Sequence, residues 1–145
     1  MNVHRVLIVE DDPDDRHMIA RAFRKANVEA ELDFAEDGDQ ALAYLDGALR
    51  GEGAVVPTVI LLDLKLPRRS GFEVLAYVKA DGHLRRVPVV ILTSSRESTD
   101  LARAYDLGAN SYLVKPVRPD ALLQIAAQVD SYWLRLNEQP GHPRL

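Results

Sequence analysis

Arg5-Val6-Leu7-Ile8-Val9-Glu10-Asp11-Asp12-Pro13 decides the fold. Val6 to Val9 is continuously apolar, and a strand reads that way when both faces of its sheet are covered, as in parallel sheets. Two carboxylates follow at once. Asp12 then offers an N-cap and Pro13 a first helical residue, so the strand turns directly into a helix. Val59-Ile60-Leu61-Leu62 and Val89-Val90-Ile91-Leu92 repeat the apolar run, and each ends on a polar residue, Asp63 and Thr93. Glu31 to Ala35 and Ser111 to Val114 are weaker strand candidates.

Helical patterns fill the gaps. Ile19, Ala22, Phe23 and Ala26 mark one helical face. Asp37 with Gln40, and Ser70 with Glu73, have capping-box spacing and lead into Ala41-Leu42-Leu45 and Val74-Leu75-Val78. A shorter helix is predicted from Ser98 to Leu107, with Gly108 placed for a left-handed C-terminal cap. A last helix is predicted from Pro119 to Asn137. Strand and helix thus alternate five times, which predicts an α/β domain with a doubly wound, five-stranded parallel sheet. One domain over residues 1–138 is expected, its last helix extended, with a flexible tail over 139–145.

The 145 residues carry a net charge of −4, which argues against a nucleic-acid surface, and no cysteine, which excludes disulfides and thiolate chemistry. No apolar run approaches the roughly 18–20 residues of a membrane span. The N-terminus lacks a signal-peptide pattern. The expectation is a cytoplasmic protein without membrane or nucleic-acid partners.

Ligands of open α/β sheets bind outside the carboxyl ends of the strands. That rule gathers Glu10, Asp11, Asp63 and Thr93 on one rim, joined by Lys115 after the fifth strand. Three close carboxylates repel one another unless compensated. A hard divalent cation such as Mg²⁺, with Lys115, would balance them. A carboxylate held in this way can attack phosphorus and form an acyl phosphate, with metal and ammonium stabilising the transferring oxygens and Thr93 hydrogen-bonding one of them afterwards. Taken singly, Asp12 could be only a cap, Glu10-Asp11 a solvated strand end, Lys115 a surface lysine and Thr93 a strand terminus. Their convergence on one rim is what carries the reading.

At these residues the chain resembles the receiver domains of two-component response regulators. The matching pieces are Val6 to Asp12, Leu62-Asp63-Leu64-Lys65-Leu66-Pro67, Gly71, Thr93-Ser94, Gly108-Ala109 and Lys115-Pro116, over residues 3–130. The resemblance implies the (βα)5 flavodoxin-like fold. It implies Asp63 as phosphoacceptor from a sensor histidine kinase, and Asp11, the Lys65 carbonyl and, through water, Glu10 as partners of Mg²⁺. Thr93 and Lys115 become the phosphoryl-contacting pair, Tyr112 the aromatic switch residue, and Lys115-Pro116 a cis bond. The long Ala48 to Val56 connector and Lys65 to Gly71 are similar to the small regulators paired with phytochrome-type histidine kinases.

Two other readings compete. Haloacid dehalogenase-type phosphatases also use a strand-end aspartate, but need a general acid two residues on, where this chain has Lys65. A phosphorylation-independent binding module would have no need of the complete acidic set. The expectation is a signalling protein that catalyses only its own phosphorylation and dephosphorylation, with slow loss of phosphate because neither Lys65 nor Ser95 orients water well. Output must then run through protein contacts. Val129, Tyr132, Trp133 and Leu136 extend the apolar stripe of the last helix and predict a homodimer face.

Overall fold

Val6 and Ile8 point into one core and Leu7 and Val9 into the other, so the first strand's apolar run serves both faces of a sheet. The computed structural model describes residues 4–140. Its strands are β1 (His4–Val9), β2 (Ala30–Ala35), β3 (Val59–Leu62), β4 (Val89–Thr93) and β5 (Ser111–Val114). The helices between and after them are α1 (Pro13–Lys25), α2 (Gly38–Leu49), α3 (Gly71–Ala80), α4 (Ser98–Asp106) and α5 (Pro119–Gln128). A short 3₁₀ turn, Leu84–Arg86, precedes β4.

All pairings are parallel, in the order β2-β1-β3-β4-β5. The order reverses direction after β1, which opens a crevice between β1 and β3 at their carboxyl ends. Ile19, Ala22 and Phe23 of α1 and Leu122 and Ala126 of α5 cover one face; Ala41, Leu45, Val74, Leu75, Val78 and Ala104 of α2, α3 and α4 cover the other. Each fully buried Val, Leu or Ile contributes about 1.5–3 kcal/mol by leaving water. Both faces of the central strands therefore have to stay apolar.

The caps form as the residue types dictate. Asp12 accepts from the Asp14 N–H at 2.8 Å, Asp37 from the Gln40 N–H at 2.8 Å and Ser70 from the Glu73 N–H at 3.3 Å. Gly108 has φ +105°, the left-handed residue expected after α4.

The last helix departs from expectation. The α-helical span stops at Gln128, and Val129–Leu136 continues as a π-helix. A π turn bonds i to i+5, as between the Asn137 N–H and the Tyr132 carbonyl at 2.7 Å. After Val129 the wider turn makes Leu134, rather than the Trp133 of a 3.6-residue stripe, the next inward position, and both Val129 and Leu134 are buried. Trp133 is left half-buried against the same core, while Tyr132 and Leu136 are exposed by 48% and 69%. Val129, expected on the dimer face, is 2% exposed and belongs to the protein's own core. Of the expected loose tail, Gln139 is tied down, its amide donating to the Thr58 carbonyl at 3.2 Å. Residues 141–145 lie outside the described residues.

Candidate functional site

The apolar runs of β1 and β3 end side by side, and the first polar residue after each, Glu10 and Asp63, is delivered to the crevice. Both are buried, at 2% and 5% exposure, while Asp11 is exposed at the mouth. One carboxylate oxygen from each of Glu10, Asp11 and Asp63 lies within 4.8 Å of the others. The third strand's run is followed at once by a close approach of α3. A Cβ on Gly71 would sit 2.1 Å from the Asp63 carbonyl oxygen and 2.6 Å from the Leu64 Cα. The Gly71 N–H donates to the Leu64 carbonyl at 2.9 Å, so the loop carrying Asp63 is clamped onto the helix start.

Lys115, after β5, reaches into this pocket. Its ammonium donates to Asp63 Oδ2 at 2.9 Å and to Asp15 Oδ2 at 2.9 Å, and it also pairs with Glu10 Oε1. The Lys115-Pro116 bond is trans, correcting the expected cis bond; no cis peptide occurs among the described residues. The trans preference before proline is small, about 0.5–1 kcal/mol, and with the trans bond the flexible lysine stem still brings the ammonium to Asp63 and Asp15. The other Asp63 oxygen, Oδ1, accepts from the Lys65 N–H at 3.2 Å. The Lys65 side chain itself is exposed.

The electrostatics follow from the crowding. Burial pushes the Glu10 carboxyl up to about 7; the Lys115 hydrogen bond offsets this only in part, and the Asp63 charge adds to the rise. Burial pulls the Lys115 ammonium down, but its hydrogen bonds to Glu10, Asp63 and Asp15 outweigh that and hold it above its ordinary value. Four carboxylates, Glu10, Asp11, Asp63 and Asp15, gather around one ammonium, so acidic groups are in excess. The donor set is all oxygen, and a divalent, oxygen-preferring cation fits both its charge and its chemistry.

Thr93 is fully buried at the end of β4, with its Oγ1 accepting from the Ser95 N–H at 3.4 Å. The Tyr112 hydroxyl, from β5, donates to the Ser95 carbonyl at 3.1 Å. The Ser95 hydroxyl, expected to orient water poorly, is engaged, donating to Asp100 Oδ2 at 2.6 Å and accepting from the Glu97 N–H at 3.3 Å. The structure therefore brings Glu10, Asp11, Asp63 and Lys115 together, and joins Thr93 to Tyr112 through Ser95. Val129, Tyr132, Trp133 and Leu136 lie apart from the pocket in the π-helical segment after α5.

Two residues of the first turn and a half of α1 were missed from the sequence. Asp15 is the third carboxylate on Lys115. The Arg16 guanidinium donates to the carbonyls of Glu10 and Asp11, both at 2.9 Å, and so fixes the backbone of the acidic pair. The available signal was their place at the start of a helix that leaves the rim itself.

A buried strand-end aspartate flanked by an acidic pair and a lysine, on a doubly wound 2-1-3-4-5 sheet, defines the receiver class of signalling domain. The model of the response regulator receiver domain family matches residues 6–127, and the chain belongs to that family. It is similar to the probable methanogenesis regulatory protein FilR2 of Methanothrix harundinacea (strain 6Ac), with 40% identity across 94% of this chain and 87% of that protein. It is likewise similar to response regulator Rcp1 of Synechocystis sp. (strain PCC 6803), with 36% identity across 94% of this chain and 92% of Rcp1. The Mn(2+)-bound form of Rcp1 superposes with a TM-score of 0.85 at 34% identity, covering 95% of this chain and 99% of that one. The phosphorylated cyanobacterial phytochrome response regulator RcpA superposes with a TM-score of 0.88 at 36% identity, covering 97% and 100%.

Proposed function

We propose that Asp63 takes a phosphoryl group from a sensor histidine kinase in a Mg²⁺-dependent step. One observation carries this reading: the Asp63 carboxylate is buried between an acidic pair and the Lys115 ammonium. A carboxylate oxygen of Asp63 bonds to phosphorus as the bond from phosphorus to the kinase's imidazole nitrogen breaks, and the imidazole leaves with the electron pair. Glu10, Asp11, Asp63 and the Lys65 carbonyl are the groups to hold Mg²⁺, which when bound neutralises charge on the phosphoryl oxygens. Lys115 supplies the ammonium that meets a phosphoryl oxygen, and Thr93 the hydroxyl. Thr93 and Tyr112, already joined at Ser95, would carry the change to the α4–β5 surface.

The resemblance to RcpA, a cyanobacterial phytochrome response regulator, supports a phytochrome-type kinase as donor. The chain then acts in the cytoplasm, signals through protein contacts and catalyses only its own modification and its reversal. The phosphatase reading is disfavoured because the position two residues after Asp63 is an exposed lysine, which supplies no general acid. Phosphoramidate with Mg²⁺ should label Asp63, and Asp63→Asn should abolish labelling while keeping the fold. Undiminished acyl-type labelling of that variant refutes the assignment.

We further propose a homodimer through the exposed part of the terminal helix. Its support is the exposure of Tyr132 and Leu136 beside Trp133, whose ring meets the Tyr132 ring edge-on at 4.7 Å. Leu136→Asp leaves the core untouched. It should convert a sedimenting dimer to monomer at micromolar concentration, and a wild type that stays monomeric with and without phosphodonor rules the dimer out.

A further inference from the structure

Asp15 enters the pocket from the first turn of α1, and nothing in the reading above uses it. Its Oδ2 stands 2.9 Å from the Lys115 ammonium, the same distance as Asp63 Oδ2. An ammonium has three N–H groups, and here each has a carboxylate: Glu10, Asp63 and Asp15. Glu10 and Asp63 belong to the oxygen cluster suited to a metal ion; Asp15 does not.

We propose that Asp15 is a positioning residue for phosphoryl transfer, anchoring Lys115 from outside the metal-binding carboxylates so that the ammonium stays aimed at Asp63. When Glu10 and Asp63 turn to the metal and the phosphoryl group, Asp15 is the partner Lys115 keeps. A lysine needs such an anchor because its charge sits on a flexible four-carbon stem. The anchor itself is rigid. Asp15 is the third residue of a helix begun by Pro13 and capped by Asp12, and the neighbouring Arg16 ties that turn to the Glu10 and Asp11 carbonyls. Sites held on such elements keep their geometry better than sites on loops.

The opposite effect is also physically open. Asp15 adds a fourth negative charge, and if charge alone mattered its removal would speed transfer. The two effects separate experimentally, because asparagine keeps an acceptor oxygen without the charge and alanine removes both. The inference rests on Asp63 as the acceptor, so wild type and Asp63→Asn are run alongside. The probe is phosphoramidate, whose P–N bond breaks as the Asp63 oxygen bonds phosphorus, the nitrogen leaving as ammonia.

At saturating Mg²⁺, Asp15→Ala should lower the maximal phosphorylation rate by about tenfold, less than the roughly hundredfold cost of displacing a reacting group by about 1 Å, because Asp15 acts only through Lys115. Asp15→Asn should recover the wild-type rate to within about twofold or exceed it. In a Lys115→Ala background, Asp15→Ala should change nothing, because its effect passes through Lys115. In the metal-free protein, the Lys115 ammonium NMR signal should broaden in Asp15→Ala and persist in Asp15→Asn. If Ala and Asn match wild type, fall equally or both run faster, or if the alanine effect persists without Lys115, the inference is overturned. A wild type that takes no label at Asp63 overturns the underlying reading instead.

Discussion

Gly71→Ala tests whether the acceptor loop depends on the close approach of α3. The added Cβ would meet the Asp63 carbonyl oxygen at 2.1 Å, the Leu64 Cα at 2.6 Å and the Asp63 carbonyl carbon at 2.9 Å. All three are backbone atoms, so no side-chain rotation relieves the clash. Restoring ordinary contact requires a shift of about 1 Å between the helix start and the loop, which strains the Gly71 to Leu64 hydrogen bond. Overpacking of this kind costs about 1–3 kcal/mol, while alanine's better helix propensity returns at most about 1 kcal/mol. The net expectation is a loss of stability in urea denaturation. Phosphorylation should fall further than stability, because a displacement of about 1 Å at a reacting group can cost about a hundredfold in rate. Gly47 is the matched control: it lies inside α2, and a Cβ there meets nothing within 4 Å. Gly47→Ala should stabilise by about 0.5–1 kcal/mol and leave the phosphorylation rate alone. A Gly71→Ala protein as stable and as readily phosphorylated as wild type would refute the clamp.

The raised Glu10 carboxyl makes metal binding pH-dependent. In the metal-free protein this group favours folding fully below the unfolded value of 4.5, and that contribution is lost as pH rises through about 7. Mg²⁺ needs the carboxylate, so its stabilising effect in thermal melts should grow from about pH 6 to 8; an effect that is flat over that window counts against the site. Lys65→Asn places an amide beside Asp63 that can orient water, and should speed loss of the phosphoryl group; unchanged or slower decay of labelled protein contradicts the expected slow turnover of the wild type.

Strands buried on both faces were legible because short apolar runs such as Val59 to Leu62, alternating with helical patterns, suit a covered parallel sheet. The pocket was legible through a geometric rule: the residue after each run must sit on the rim, which placed Glu10, Asp63 and Lys115 without knowledge of their contacts. What failed was extrapolation of a period. The stripe from Leu122 through Trp133 assumes 3.6 residues per turn, and a π turn replaces that period after Gln128. Side-chain placement was also hidden. Asp15 could have been only a favourable acid in a helix's first turn, and its reach to Lys115 depends on how α1 docks against the chain a hundred residues later.

Ser95 shows how the pocket can be coupled to a distant surface. Its N–H serves the Thr93 hydroxyl, its carbonyl the Tyr112 hydroxyl and its own hydroxyl the start of α4, whose N-cap Glu97 makes no side-chain cap of its own. In the proposed cycle, Thr93 turns to a phosphoryl oxygen and the Ser95 N–H, in a residue 5% exposed, loses its acceptor. Leaving a buried donor unpaired costs about 1–3 kcal/mol, and the 3.4 Å bond being given up is a long one, so the cost falls near the lower bound. A new charge-assisted bond from a threonine hydroxyl to a phosphoryl oxygen is worth more than that. The β4–α4 loop would then relieve its unpaired N–H by moving, which would displace the carbonyl that holds Tyr112 and the hydroxyl bonded to Glu97 and Asp100 at the start of α4. In that proposed cycle the signal would leave through α4 and β5, because both are hydrogen-bonded to Ser95, the residue whose partner the phosphoryl group would take away.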